Sequence, residues 1–307
     1  MQSSDRGDSR LKHTTHYHIK PDRAIKKTSV RPITTMPIPD AEIYPEATGP
    51  AATFVARHSA EEPLKIYAGW FCPFVQRALL VLHLKNIPFQ YIEVNPYHKP
   101  KSLLDLNPRG LVPTLVVPTA DGSQKPLIES SVICEYLDEV YSDATKYGPR
   151  LLPEDPYERA RARIWIQFIG SNIVPSFHRW LQFQGDDAQK GREEYLANLK
   201  KFAEQLDPVG PFWLGKEPSL PDVILAPWVD RAWIFDEFKG NGGNWPTAKD
   251  GEVWARWEKY VSAVKGLQAL KDTTSDKEHY LPLYKRYADN VAQSEAAKAI
   301  RDGRAIP

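Results

Sequence analysis

The sequence predicts an α/β domain followed by an all-helical domain, and three observations predict it. Apolar residues alternate with period two only in short runs between residues 64 and 128, with helical spacing interleaved among them. Beyond residue 156 the apolar spacing is almost wholly that of helices. Residues 1–62 show neither period and are dotted with proline: Pro21, Pro32, Pro37, Pro39, Pro45 and Pro50. The expected organisation is an irregular extension over 1–62, an α/β domain over 63–145 and a helical domain with its tail over 156–307.

Each element has its own signal. Leu64-Lys65-Ile66-Tyr67-Ala68 alternates like a strand. Pro73 then opens a segment with Val75, Leu79 and Leu82 on one face, a helix that runs to about Asn86. Pro88 breaks it, and 89–94 reads as a second strand. A β-α-β unit of this kind implies parallel strands and a right-handed crossover. A short helix over 101–106 stops at Asn107-Pro108. Strands at 115–117 and 126–128 form a hairpin across Asp121-Gly122, and a helix over 131–141 closes the unit. The order β-α-β, then β-β-α, is that of a thioredoxin-like domain. A linker spans 142–156. Ala160, Ile164 and Phe168, with Trp165, Ile169 and Ile173, give the first helix of the second domain its stripe. Further helices are expected over 193–206, 221–237, 252–264 and 278–299. Ser219-x-x-Asp222 ahead of an apolar run is a capping box.

Composition removes several function classes. The 40 basic and 39 acidic side chains leave a net charge of +1, which offers no global field to nucleic acid or an anionic membrane. No apolar run approaches the roughly 18–20 residues that span a bilayer. Residues 1–20 lack an apolar core of the secretory type, and Asp5 and Asp8 argue against a transit peptide, so a cytoplasmic location is expected. Two cysteines, Cys72 and Cys134, exclude a disulfide framework and a cysteine-rich zinc site. His13, His16 and His18 have no acidic or thiol partner nearby and read as a solvated tail, so no metal is expected.

Cys72 falls at a strand-to-helix junction just before Pro73. As the N-cap of that helix it faces backbone N–H groups and the positive end of the dipole, which predicts a thiol pKa below the roughly 8.5 of free cysteine. In Cys72-Pro73-Phe74-Val75, valine takes the place of a second cysteine. An internal disulfide cannot form there, so a mixed disulfide on Cys72 needs an outside thiol, and glutathione is the abundant small thiol of a reducing cell. Leu111-Val112-Pro113-Thr114 precedes a strand; a cis peptide at Pro113 aims the Val112 N–H and C=O at a peptide's backbone. Glu129-Ser130 stands at a helix start, suited to an ammonium and a carboxylate on one carbon, as in the γ-glutamyl end of glutathione. Lys99 suits the carboxylate at the other end. Cys134, inside the helix that follows, reads as a buried structural thiol.

Three stretches carry a resemblance. They are Trp70-Phe71-Cys72-Pro73-Phe74-Val75-Gln76-Arg77, Asn107-Pro108-Arg109-Gly110-Leu111-Val112-Pro113 and 129–139, beginning Glu129-Ser130-Ser131. Over about residues 64–290 the chain resembles the omega class of cytosolic glutathione transferases, and its fungal branch in the long extension and in Trp70. The resemblance implies the glutathione transferase fold. It implies a catalytic Cys72, glutathione as co-substrate held by Phe74, Lys99, Val112, Pro113, Glu129 and Ser130, and a homodimer. It also implies a second-substrate pocket in the helical domain, for which Phe71 and Trp257 are the candidates.

The leading expectation is a thiol transferase acting through a Cys72–glutathione mixed disulfide. Its reactions are removal of glutathione from mixed disulfides, dehydroascorbate reduction and reduction of glutathionyl-acetophenones. The partners are glutathione and glutathionylated or aromatic small molecules, with neither nucleic acid nor membrane. A conjugating transferase needs a hydroxyl where Cys72 stands. A ligandin-type protein that stores aromatic molecules, with residual activity, is compatible with the aromatic-rich helical domain.

Overall fold

The computed structural model describes residues 43–240 and 244–307, all within the unit Ile38–Pro307. His13, His16 and His18 lie outside the described residues. The α/β part is a four-stranded sheet in the order β2-β1-β3-β4, with β1 Lys65–Ala68, β2 Gln90–Glu93, β3 Thr114–Pro118 and β4 Gln124–Leu127. β1 and β2 are parallel, with Lys65 opposite Gln90 and Ala68 opposite Glu93, while β3 pairs antiparallel with both β1 and β4. Helix α2, Pro73–Leu84, makes the crossover between the parallel strands. Its Val75, Ala78, Leu79 and Leu82 are buried, and so is most of its remaining surface, because the helical domain covers the other side. Helix α3 spans Lys101–Leu106, and α4, Ser130–Val140, packs on α2. The thioredoxin-like domain is therefore present.

Residues 49–57 correct the expectation of an irregular extension over 1–62. They form α1, Gly49–Arg57, which buries Ala51 and Phe54. Pro50 sits in its first turn, where its fixed φ and missing N–H are tolerated. Gly49 has φ +54, and a Cβ there would collide with the Asp276 carboxylate, so the turn into α1 requires glycine. Proline density hid this helix, because proline at a helix start and proline in a loop look alike in sequence.

After the short α5, Ala144–Tyr147, the helical domain begins with α6, Pro156–Phe168, capped by Asp155 on the Glu158 N–H at 2.9 Å. A π turn, Ile169–Ile173, joins it to α7, Val174–Gln182. Pro175 cannot donate to residue 171, and the wider turn relieves the ring's clash with that carbonyl. Then follow α8 Gly185–Ala203, α9 Leu220–Asp230, α10 Trp233–Phe238, α11 Glu252–Gly266, α12 Gln268–Asp272, α13 Lys277–Ala288 and α14 Glu295–Arg301. Two expected helices are each split in two. The 221–237 helix breaks after Asp230, and the 278–299 helix breaks at Asn290, which has φ +58. The capping box of α9 is formed: Asp222 Oδ2 accepts from the Ser219 N–H at 2.7 Å and from its hydroxyl at 2.6 Å. Among the described residues no helix is long and apolar enough to cross a membrane.

Candidate functional site around Cys72

Cys72 is the N-cap of α2, with Pro73 at the first helical position and the Gln76 N–H bonded to the Cys72 carbonyl at 3.1 Å. The sulfur is half-buried and lies 3.9 Å from the Val112 carbonyl oxygen, toward which the thiol points. The Val112–Pro113 peptide is cis. The N–H groups of Val75 and Phe74 lower the Cys72 pKa, as do the Arg231 and Arg77 guanidiniums, but burial outweighs them and the net direction is upward. This corrects the expectation of a lowered pKa. The helix terminus works as expected, and the cover provided by the helical domain reverses its effect.

Two buried arginines lie in the electrostatic surroundings of the sulfur, and the sequence motifs assigned neither a role. Arg77, one turn into α2, is 4% exposed. Its Nε donates to the Ile224 carbonyl at 2.9 Å and its Nη1 to Ser130 Oγ at 3.2 Å, while its plane covers Trp228 at 4.4 Å. Arg231, just past α9, donates from Nη1 to Gln76 Oε1 and to the Pro227 carbonyl, whereas its buried Nε and Nη2 have no protein partner. Burial alone would lower Arg231, yet Tyr284, Tyr280, Asp230 and Cys72 raise it above the usual value, so it stays charged. Buried N–H groups left over beside a thiol are donors available to an anion.

Ser130 is the first residue of α4 and is buried, one place earlier in the helix than expected. Because its oxygen accepts from Arg77, its own proton remains to donate outward, beside the free N–H groups of the α4 terminus. Glu129 precedes it with φ +70, a left-handed conformation costly for a residue with a side chain, and its carboxylate is exposed. Lys99 donates to the Arg109 carbonyl at 3.1 Å and lies against Gly110, whose φ of +58 and lack of a Cβ leave room for it. Cys72 is linked to Val112 directly, and to Ser130 through Arg77 of the helix it caps.

The model for the glutathione S-transferase N-terminal domain matches residues 71–140, and that for the C-terminal domain matches 157–259. Mouse glutathione S-transferase omega-1 is 35% identical over 173 residues, covering 56% of this chain and 68% of its own. The crystal structure of glutathione transferase Omega 3C from Trametes versicolor superposes with a TM-score of 0.70 at 39% identity, over 81% of this chain and all of that one. The chain belongs to the glutathione S-transferase family. Omega 2S from the same fungus, a structure in complex with 2,4-dihydroxybenzophenone, shares the fold at 23% identity and a TM-score of 0.57, over 72% of this chain and 97% of its own.

In this glutathione S-transferase the omega-class resemblance stands, and the remaining candidates can be placed. Phe74 is half-buried, edge-on to Trp228 at 5.1 Å. Phe71 is half-buried against Trp70 at 5.8 Å. Trp257 is 7% exposed and stacks on Tyr260 at 5.3 Å, next to Asp222, so it packs in the helical core. Tyr284 and Tyr287 of α13, with Tyr91 of β2, also share the surroundings of Cys72. Burial first, and neighbouring charges including Cys72 after it, raise the phenols of Tyr284 and Tyr287. Tyr280 lies under Arg231 at 5.1 Å. The signal was in the sequence: Tyr280, Tyr284 and Tyr287 repeat at helical spacing. Nothing local, however, told this stripe from a core stripe. Cys134 is fully buried, and burial pushes its thiol up to about 12.

Proposed function

We propose that this glutathione S-transferase is a thiol transferase that uses Cys72 as its nucleophile. The observation that carries this reading is the sulfur at the α2 N-terminus, with Val75 buried where a second thiol would stand. Cys72 thiolate attacks the glutathione-side sulfur of a mixed disulfide, forming Cys72–S–SG and expelling the other thiol as thiolate. A second glutathione thiolate attacks the glutathione sulfur of Cys72–S–SG, forms glutathione disulfide and expels Cys72 as the thiolate. The positive charges of Arg231 and Arg77 near the sulfur offset part of the cost of a buried thiolate. Ser130, the α4 terminus and Glu129 receive the two charges of the γ-glutamyl group, Val112 the peptide backbone, with its cis link to Pro113 fixing that edge, and Lys99 the far carboxylate. Phe74 packs beside them.

Residues 63–145 then act as the glutathione-binding domain and 156–307 as the second-substrate domain. The reading extends to deglutathionylation, dehydroascorbate and glutathionyl-acetophenone reduction, a cytoplasmic location and a homodimer. Phe71 and Tyr287, both half-exposed, supply aromatic surface for the second substrate, in keeping with a neighbour that binds a dihydroxybenzophenone. That surface also supports a second reading, storage of aromatic ligands with little catalysis. One experiment separates the two. Incubation with glutathione disulfide followed by mass spectrometry should place one glutathione on Cys72, and Cys72→Ser should lose both the adduct and the reductase activity. An unmodified Cys72, or reductase activity that survives the substitution, removes the transferase reading.

A further inference from the structure

Glu93 closes β2 opposite Ala68, the last residue of β1, and its carboxylate reaches past the end of the sheet. Oε1 accepts from the Trp70 N–H at 3.1 Å, and Oε2 accepts from the Tyr91 hydroxyl at 2.9 Å. Trp70 is two residues from Cys72 in the turn that leads into α2. That turn closes through the Cys72 N–H on the Gly69 carbonyl at 3.0 Å, and a Cβ on Gly69 would press on the Phe71 ring at 3.0 Å. On its other side the Trp70 indole donates to the Tyr44 carbonyl at 2.9 Å. The carboxylate is therefore the side-chain anchor of the backbone that carries the sulfur.

We propose that Glu93 is a positioning residue for Cys72, acting through the Trp70 N–H to hold the β1–α2 turn in the conformation that aims the sulfur at Val112. The proposal rests on the reading of Cys72 as the nucleophile. The ionised carboxylate accepts from both groups; once protonated, its O–H turns to donate to the Tyr91 oxygen and the Trp70 N–H is left on a neutral, weaker acceptor. The geometry thus has its own titration. Burial pushes Glu93 up to about 7; the Tyr91 hydroxyl and the Trp70 and Val94 N–H groups pull it down, and Glu46 of the N-terminal segment pushes it up. Tyr91 in turn lies in the field of Cys72 and Tyr280.

The test is the rate of Cys72 alkylation by iodoacetamide on the full chain from about pH 5 to 9, read by peptide mass spectrometry with thermal melting in parallel. The wild type should show a step near neutrality superimposed on the climb of thiol ionisation. Glu93→Gln should lose that step and react on the order of tenfold more slowly above it. Tyr91→Phe, which deprives the carboxylate of a donor, should move the step to higher pH. A wild-type profile without the step overturns the proposal, as does a step that both variants keep in place. Should Glu93→Gln fail to fold, an unshifted step in Tyr91→Phe overturns it alone. A wild-type Cys72 that is inert at every pH removes the nucleophile reading as well, whereas a reactive one with an unchanged profile removes only the role of Glu93.

Discussion

Arg77 holds Ser130 in place. The guanidinium donates to the Ser130 hydroxyl at 3.2 Å while its Nε reaches the Ile224 carbonyl at 2.9 Å, so the start of α4 is set by a side chain that is itself locked to the helical domain. The start of α4, the proposed receiver of the γ-glutamyl carboxylate, is thereby coupled to the packing of α2 against α9.

Arg77→Ala should weaken glutathione binding and destabilise the fold together. It leaves the buried Ile224 carbonyl without its donor and removes the cation from the Trp228 face, costing about 2–4 kcal/mol. Arg77→Lys keeps a charge but cannot span both acceptors, so it should recover part of the stability and little of the affinity. Thermal melting and a glutathione titration measure the two effects. Full affinity in Arg77→Ala would show that Ser130 needs no support.

Val75→Cys restores the second thiol of a C-x-x-C motif on α2, at a position that is 1% exposed. The new cysteine should resolve the mixed disulfide from within, because its thiol is tethered beside the sulfur and glutathione must diffuse in. After glutathione disulfide treatment the variant should carry an internal disulfide and no glutathione, a difference that intact-mass spectrometry reads directly. A stable glutathione adduct on Cys72 in this variant would mean that the two positions cannot meet.

The β-α-β and β-β-α order, the capping box and the place of Cys72 were legible because each depends on neighbours a few residues away. Pro73 after Cys72 states a helix start whatever the rest of the chain does. What escaped depends on residues far apart in sequence. The Cys72 pKa goes up, not down, because helices more than 140 residues further along cover it. Trp257 and the α13 tyrosines are all aromatic residues on helices, and only the fold says that Tyr284 and Tyr287 lie in the electrostatic surroundings of Cys72. The helix over 49–57 was lost for the same reason on top of its ambiguous Pro50, since its short stripe of Ala51 and Phe54 gains meaning only from the surface it covers.

His178 makes acid stability a test of the helical core. It lies on α7 at 4% exposure, both ring nitrogens lack a partner, and burial lowers its pKa from 6.5 to about 4. Above pH 6.5 the ring is neutral in both states and the core is undisturbed. Between 6.5 and about 4 the unfolded chain takes up a proton that the folded chain refuses, so stability falls with pH, by about 3 kcal/mol over the window. Below about 4 this contribution is spent and the slope from His178 vanishes. His178→Phe should flatten that part of the curve in urea melts across the acid range. An unchanged slope would assign the acid loss to carboxylates.

Trp257 and Tyr287 separate packing from recognition. Trp257→Ala empties a buried, stacked site and should cost about 3–5 kcal/mol while leaving the affinity of the folded fraction for aromatic ligands intact. Tyr287 is half-exposed, its hydroxyl bonded to Ser294 at 2.7 Å and its phenol in the field of Cys72. Tyr287→Ala should melt lower, though by less than Trp257→Ala because the ring is only partly buried, and should lose roughly tenfold in affinity for a hydroxylated benzophenone through the missing ring contact. Fluorescence titration with that ligand, beside melting curves for both variants, reads the contrast. Loss of ligand in Trp257→Ala with unchanged binding in Tyr287→Ala would return the second-substrate pocket to the helical core.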